Sequence, residues 1–99
     1  MTDDACEDRL KLLSDGTRLE VLRQLLGGAR RVSEIQEALG VEQSLLSHHL
    51  RVLREADLVR AERDGKAMLY RLAPGVSPKR GSNVINLGCC SLSFPSARR

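Results

Sequence analysis

The chain has 99 residues, of which 41% are hydrophobic and 29% charged, with a formal net charge of +3 and a pI near 9.1. A chain of this length forms one small domain with a modest core, and no apolar run approaches the roughly 18 residues of a membrane span. The first four residues, Met-Thr-Asp-Asp, are acidic where a secretory signal is basic, so we expect a cytoplasmic protein.

The N-terminal third predicts two helices. The first runs from Asp4 to Leu13, and the second from Asp15 to Leu26, with Asp15 as its N-cap and residues 27–28, Gly-Gly, at its end. The second helix has leucines at a spacing that forms one buried face, at Leu19, Leu22, Leu25 and Leu26.

The next segment, residues 32–40, predicts a third helix. Ser33 and Gln36 lie at capping-box spacing, and Gly40 is placed to end the helix. Only a few residues then connect it to a fourth helix. Such a short link predicts a helix-turn-helix, in which the first helix braces the second against DNA.

The fourth helix has an apolar stripe and a polar face. Leu46, Leu50 and Leu53 fall at i, i+4 and i+7, which places them on one side. The opposite face holds Ser44, Ser47, His48, Arg51 and Arg54. Short hydrogen-bonding side chains near the start and cations further along suit contact with base edges first and phosphates later.

Individual residues of this face allow two interpretations. Gln43 can read adenine through a bidentate pair, or else Gln43 or Ser44 merely caps the helix. Arg51 and Arg54 either contact phosphate or form ordinary ion pairs with Glu55 and Asp57. We favour DNA contact for Ser44, Ser47 and His48. Gln43 and Arg51 are also candidate DNA-binding residues, although their alternatives stay open.

The adjacent histidines do not predict a metal site. Consecutive helix residues point about 100° apart, so His48 and His49 cannot chelate one ion together. His48 lies on the polar face and is interpreted as a DNA contact. His49 lies beside the leucine stripe, where it packs or positions a phosphate.

A β-hairpin follows the fourth helix. Val59 to Arg63 and Lys66 to Leu72 flank Asp64-Gly65, a dipeptide that favours a type I′ turn. Arg63 and Lys66 lie at the tip, so the hairpin can rest along the phosphate backbone as a wing.

Residues 10–74 resemble the ArsR/SmtB family of small bacterial winged-helix repressors. The resemblance lies in residues 13–22 (LSDGTRLEVL), residues 47–56 (SHHLRVLREA) and the hairpin of residues 58–72. It implies a mainly α fold with a small β-hairpin, a winged helix-turn-helix in the order α-α-α-α-β-β. It also implies a homodimer without enzymatic activity that represses transcription by binding an inverted-repeat operator in double-stranded DNA.

The composition of the chain changes after Pro74. The resemblance implies a long closing helix that pairs across the dimer, but the tail contains helix-breaking residues at Pro74, Pro78, Gly81, Gly88 and Pro95. We therefore divide the chain into a winged-helix DNA-binding and dimerisation domain, residues 1–74, and an irregular cysteine-containing tail, residues 75–99. The tail is expected to be an extended arm laid over the partner subunit.

Three cysteines, Cys6, Cys89 and Cys90, are expected to be reduced thiols in the cytoplasm. The Cys-x-Cys pair that arsenite- and cadmium-responsive family members often carry before the recognition helix is absent, since residues 31–35 read Arg-Val-Ser-Glu-Ile. The Asp, His and Glu ligands of zinc- and nickel-type members are also missing, because the histidines are His48 and His49 alone.

The cysteines nevertheless predict a sensor site. Three thiolates satisfy trivalent arsenic or antimony, and Cys89 and Cys90 can supply two of them. Cys6 can supply the third, from the same chain or from across the two-fold axis. An arsenite, antimonite or other soft-metal effector follows, with no required cofactor.

Alternatives stay open for the cysteines. They can form a disulfide or persulfide redox switch, or have no role, and Cys6 can be a buried or bystander residue. A soft-metal carrier and a small thiol enzyme are the rival functions. A carrier would not need the Ser-His-His face or the cationic wing, and an enzyme needs a partner base or a pocket that the sequence does not indicate.

Overall fold

A computed structural model describes residues 3–78 and 81–95 of the chain. Its helices are α1 (Asp3–Leu12), α2 (Gly16–Gln24), α3 (Val32–Leu39) and α4 (Gln43–Glu55), with a 3-10 turn at Leu25–Gly27. Its strands are β1 (Arg30–Arg31), β2 (Val59–Asp64), β3 (Ala67–Leu72), β4 (Val84–Asn86) and β5 (Ser91–Ser93). This confirms the mainly α winged-helix fold. Within these residues, every helix is too short or too polar to cross a bilayer.

The start of α2 is stabilised as the sequence predicts. The Asp15 carboxylate accepts hydrogen bonds from the backbone N–H groups of Thr17, at 2.8 Å, and Arg18, at 3.1 Å. These bonds satisfy donors that the first turn of a helix leaves unpaired. The N-cap therefore fixes where α2 begins.

The start of α3 differs from the prediction. The N-cap is Arg31, and the Glu34 carboxylate accepts its backbone N–H at 2.8 Å, so the Ser33–Gln36 capping box is wrong. Glu34 lies in the first turn, where its negative charge also interacts favourably with the helix dipole. At the other end Gly40 adopts φ +66° and ends α3, as predicted.

The wing is a three-stranded antiparallel sheet in the order β1-β3-β2. Asp64 pairs with Ala67, so the central turn residues are Gly65 and Lys66, with φ +64° at Gly65 and no positive φ at Lys66. The predicted type I′ turn at Asp64-Gly65 is therefore wrong. Glycine at the first central position is typical of a type II′ turn.

One continuous core joins the helices, the wing and the tail. Leu46, Leu50 and Leu53 of α4 are at most 2% exposed, which confirms the predicted stripe. Ile85 and Leu87 from the tail are fully buried in the same cluster.

The tail forms a second antiparallel sheet, in which Ile85 of β4 pairs with Leu92 of β5. The prediction of an irregular extended arm laid over a partner is thus corrected, because this hairpin packs against its own chain. The boundary after residue 74 stays a prediction, although both parts share one core.

Candidate nucleic-acid interface and cysteine cluster

One face of α4 is exposed above its buried leucines. The exposed residues include all five predicted DNA contacts of the helix, Gln43, Ser44, Ser47, His48 and Arg51. Together with Arg54 they line an open groove of about 840 Å³, whose other walls come from α3 and from β3 through Val32, Met68 and Tyr70. The structure therefore brings the helix residues together on one concave surface.

The N-terminus of α4 shows which residues cap the helix. Its N-cap is Glu42, whose side chain makes no capping bond to the backbone. The Ser44 hydroxyl donates to the Glu42 carboxylate instead. The capping interpretation of Gln43 and Ser44 is therefore wrong, and Gln43 remains exposed at the first turn.

Charge on this face comes from two arginines. Arg51 and Arg54 are exposed, and neither forms an ion pair with a residue in the described part of the chain. The alternative pairing with Glu55 and Asp57 is thus not observed. Two unpaired guanidinium groups suit contact with a polyanion.

The tip of the wing presents two further cations. Arg63 and Lys66 are exposed, and no ion pair engages them within residues 3–78 and 81–95. The neighbouring charges are paired, because Arg71 donates to Glu62, and Arg31 donates to Asp64 at 3.2 Å. Arg63 and Lys66 therefore present two cations, unpaired among the described residues, at the tip of the wing.

Below the exposed face, His49 anchors α4 to α2. It is 5% exposed, and its Nδ1 accepts a 2.9 Å hydrogen bond from Arg18 Nε. Its Nε2 lies 4.0 Å from an Asp15 carboxylate oxygen. Burial lowers the pKa of His49, and Asp15 opposes the shift in part. His49 is thus a packing residue, and the sequence did not reveal its partner Arg18.

The three cysteines meet at one place within a single chain. Cys6 and Cys89 form a disulfide, with their Cα atoms 5.8 Å apart, and Cys90 is a free thiol. The Cys90 Sγ lies 3.9 Å from Cys6 Sγ and 3.8 Å from Cys89 Sγ. The expectation of three reduced thiols is therefore wrong for this form of the protein.

The turn between β4 and β5 places Cys89 and Cys90 against α1. Leu87 N donates to Cys90 O at 2.8 Å across the turn, and the Asn86 side chain accepts from Gly88 N. Arg9 of α1 donates from Nη1 to Leu87 O at 2.7 Å. Arg9 is a contributor that the sequence did not reveal, since its partner lies 78 residues away.

The donor set of this cluster is made of sulfur alone. All three sulfurs lie within 4.8 Å of one another, and only cysteines belong to the group. Thiolates are the ligands that soft metals and metalloids prefer. The residues therefore fit a soft ion once the disulfide is reduced, because a ligand sulfur must be deprotonated and free.

Comparison with known proteins agrees with the fold. The family model described as bacterial regulatory protein, arsR family, matches residues 15–61. A probable mercury resistance operon repressor from Streptomyces lividans is 36% identical over 89 residues, covering 82% of this chain and 71% of that protein. The chain belongs to the arsR family. Its matched segment contains the whole helix-turn-helix.

Other relatives of this arsR-family chain are regulators as well. The regulator NmtR of Mycobacterium tuberculosis is 44% identical over 63 residues, covering 64% of this chain and 52% of that protein. The chain thus spans about half the length of the first curated relatives that it matches.

Solved structures give the same assignment. HlyU from Vibrio cholerae matches with a TM-score of 0.69 and 31% identity, covering 74% of this chain and 82% of that one. A homodimeric winged helix-turn-helix DNA-binding domain from Mycobacterium bovis matches with a TM-score of 0.66 and 33% identity, covering 74% and 73%. The relatives and the fold are those of DNA-binding transcriptional regulators and not of enzymes.

Proposed function

We propose that this arsR-family chain is a transcriptional repressor that binds an inverted-repeat operator as a homodimer. The observation that carries the proposal is the exposed face of α4, where Ser47, His48 and Arg51 stand directly above the buried leucine stripe. In this geometry α4 enters the major groove, and Arg63 and Lys66 of the wing contact the adjacent phosphates.

Two observations support the homodimer. The matching domain from Mycobacterium bovis is described as homodimeric. On this chain, Leu10 of α1 is 45% exposed and lines an apolar surface depression together with Cys6 and Lys11. In the proposed dimer a second copy covers this face of α1, and the two α4 helices enter successive major grooves about one helical turn apart.

The proposed effector is a soft, thiophilic species, with arsenite or antimonite first. Three sulfurs in one chain suit the pyramidal coordination of trivalent arsenic. The name of the Streptomyces lividans relative, a mercury resistance operon repressor, supports a soft effector in general. Binding would release the operator through a coupling free energy of about 1–3 kcal/mol.

A second candidate signal is oxidation of the same cysteines. The Cys6–Cys89 disulfide favours it, because the fold holds these two cysteines next to each other within one chain. In that case oxidation itself would change the operator affinity, and no ion would be required.

The test is a fluorescence-anisotropy titration of the reduced full chain on DNA from upstream of its own gene, with and without arsenite. We expect specific binding that arsenite weakens about 5- to 150-fold, as the coupling range implies. The double variant Cys89→Ser, Cys90→Ser should bind DNA normally and ignore arsenite, while Ser93→Ala serves as a matched control on the same hairpin.

Three results separate the alternatives. Absence of specific DNA binding would contradict the repressor and favour a soft-metal carrier. Release by arsenite in the double variant would place the effector elsewhere. Release by an oxidant but not by arsenite would select the redox signal.

A further inference from the structure

We infer that the cysteine cluster is an oxidant-gated metal site: the Cys6–Cys89 disulfide and a three-sulfur-bound ion are mutually exclusive states of the same chain. The inference deepens the proposed function and depends on it only for the class of ligand. It predicts that oxidation removes the site for the ion, and that the bound ion protects the thiols from oxidation.

Cys90 places a third sulfur beside the disulfide. Its Sγ is almost equidistant from the two disulfide sulfurs, at 3.9 Å and 3.8 Å, so it lies beside the bond and not along its axis. A thiol on the axis would be farther from one sulfur by about a full bond length. Cys90 is therefore placed as the third corner of a triangle of donors.

The distances between the three sulfurs are close to those between the ligands of a single ion. Sulfur ligands of an ion with metal–sulfur bonds of about 2.3 Å lie roughly 3.8 Å apart at tetrahedral angles, and about 3.4 Å apart at the narrower angles of a pyramidal arsenic centre. Two edges of the triangle, Cys6 to Cys90 and Cys89 to Cys90, are already close to these separations. Only the Cys6–Cys89 edge must open, which is what reduction of the disulfide allows.

The chemistry makes the two states exclusive. An external disulfide such as oxidised glutathione takes two electrons from the Cys6 and Cys89 thiols and becomes two glutathione thiols, and the two cysteine protons pass to these products. The new S–S bond uses both sulfurs, which no longer carry the negative charge of a thiolate ligand. Cys90 then remains as a single thiol, too few donors for a soft ion of this kind.

Both the disulfide and the ion-bound state can form within one chain, because Cys89 is exposed and a hydrogen bond holds its turn on α1. Cys89 is exposed and can meet an oxidant, whereas Cys6 on α1 is half-buried, and so is Cys90, which packs against the core. The hydrogen bond from Arg9 to Leu87 O holds the turn on α1 without involving sulfur. This bond can therefore keep the three side chains together in the reduced chain.

The experiment measures arsenic bound to the full chain by mass spectrometry after desalting, with arsenite as the probe. We expect about one arsenic per reduced chain, and almost none after treatment with oxidised glutathione, with full recovery on reduction. In the reciprocal assay, arsenite-loaded protein should form the Cys6–Cys89 bond at least about tenfold more slowly than the reduced protein without arsenite.

Two variants sharpen the result. Cys90→Ser should form the disulfide at the normal rate yet bind arsenite at least about tenfold more weakly. Ser91→Ala, an exposed neighbour, should behave like the original chain in both assays.

The inference is overturned if the oxidised chain keeps its arsenic, if arsenite leaves the oxidation rate unchanged, or if the reduced chain binds no arsenic. None of these assays contains DNA. A failure of operator binding or release therefore tests the proposed function separately.

Discussion

Arg18 joins α2 to α4 through a 2.9 Å hydrogen bond from its Nε to Nδ1 of His49. The same guanidinium donates from Nη1 to the backbone oxygen of Leu12, at the end of α1, over 3.2 Å. One side chain therefore contacts both the helix that bears Cys6 and the helix proposed to enter DNA.

The first prediction concerns Arg18→Met, which keeps an aliphatic side chain and removes both hydrogen bonds. His49 would then be buried with an unpaired acceptor, so the free energy of unfolding should fall by about 1–3 kcal/mol. Urea denaturation followed by circular dichroism measures this loss.

The matched control is Arg23→Met on the same helix. Arg23 forms a partly exposed ion pair with Glu20, and its loss should cost less than about 1 kcal/mol. Equal losses in the two variants would mean that the contact between Arg18 and His49 adds nothing to stability.

The second prediction is a pH dependence that arises at His49. Because burial lowers its pKa in the folded chain, the unfolded chain binds a proton more readily. The contribution of His49 to stability is therefore fully present above its pKa in the unfolded chain, about 6.5. It is lost as the pH falls through the lower pKa of the folded chain. Urea midpoints measured between about pH 7.5 and 5 should decrease accordingly.

Substitution identifies the residue responsible. His49→Gln should flatten the profile in this range, whereas His48→Gln on the exposed face should keep it. A drop that survives in His49→Gln would assign the effect to another group. The pKa of Asp15 is lowered chiefly by the hydrogen bond from the backbone N–H of Arg18. The contribution of Asp15 to stability is therefore lost only below about pH 4.

The helices could be predicted because their signals are local. The spacing of Leu46, Leu50 and Leu53, the cap at Asp15 and the stop at Gly40 each act within a few residues, and each is present in the structure. Strands of two or three residues, such as β1 and β4, show no period that a sequence can reveal.

The contacts at both sites that the sequence did not predict join residues far apart in the chain. His49 meets Arg18 across 31 residues, and Cys6 meets Cys89 across 83. Residue types alone suggested that the three cysteines can share one ion, but the choice between one chain and two was open. Packing of the buried Ile85 and Leu87 folds the tail back onto its own core, which brings the three sulfurs together within one chain.

The third prediction tests how much the tail contributes to the fold. Leu87 is fully buried, so Leu87→Ala should lower the free energy of unfolding by about 2–5 kcal/mol. Val84→Ala is the control, because Val84 lies on β4, three residues before Leu87, is 40% exposed and should cost less than about 1 kcal/mol. A negligible loss in Leu87→Ala would show that residues 1–74 fold without the tail.

The fourth prediction concerns the disulfide. Closing a loop of 83 residues restricts the unfolded chain, which stabilises the oxidised protein by about 4–5 kcal/mol in the chain-entropy description. Urea midpoints should therefore fall when dithiothreitol is added. Cys6→Ser should not respond to the reductant, and Cys90→Ser should respond fully; a response in Cys6→Ser would indicate a different pairing.

The fifth prediction separates wing contacts from base contacts. If Lys66 neutralises a phosphate, Lys66→Ala should weaken binding to operator and unrelated DNA alike and reduce the salt slope of log K by about 0.9. Anisotropy titrations at several salt concentrations measure this slope. His48→Ala should instead weaken operator binding by about 1–3 kcal/mol and leave unrelated DNA nearly unaffected.

Arg71→Ala provides the control on the same hairpin. Arg71 is paired with Glu62, so it has less charge to offer a phosphate, and its removal should change the slope by less than that of Lys66. Equal slopes for the original chain and Lys66→Ala would place the tip of the wing away from the DNA backbone. The proposed contacts would then reduce to the face of α4.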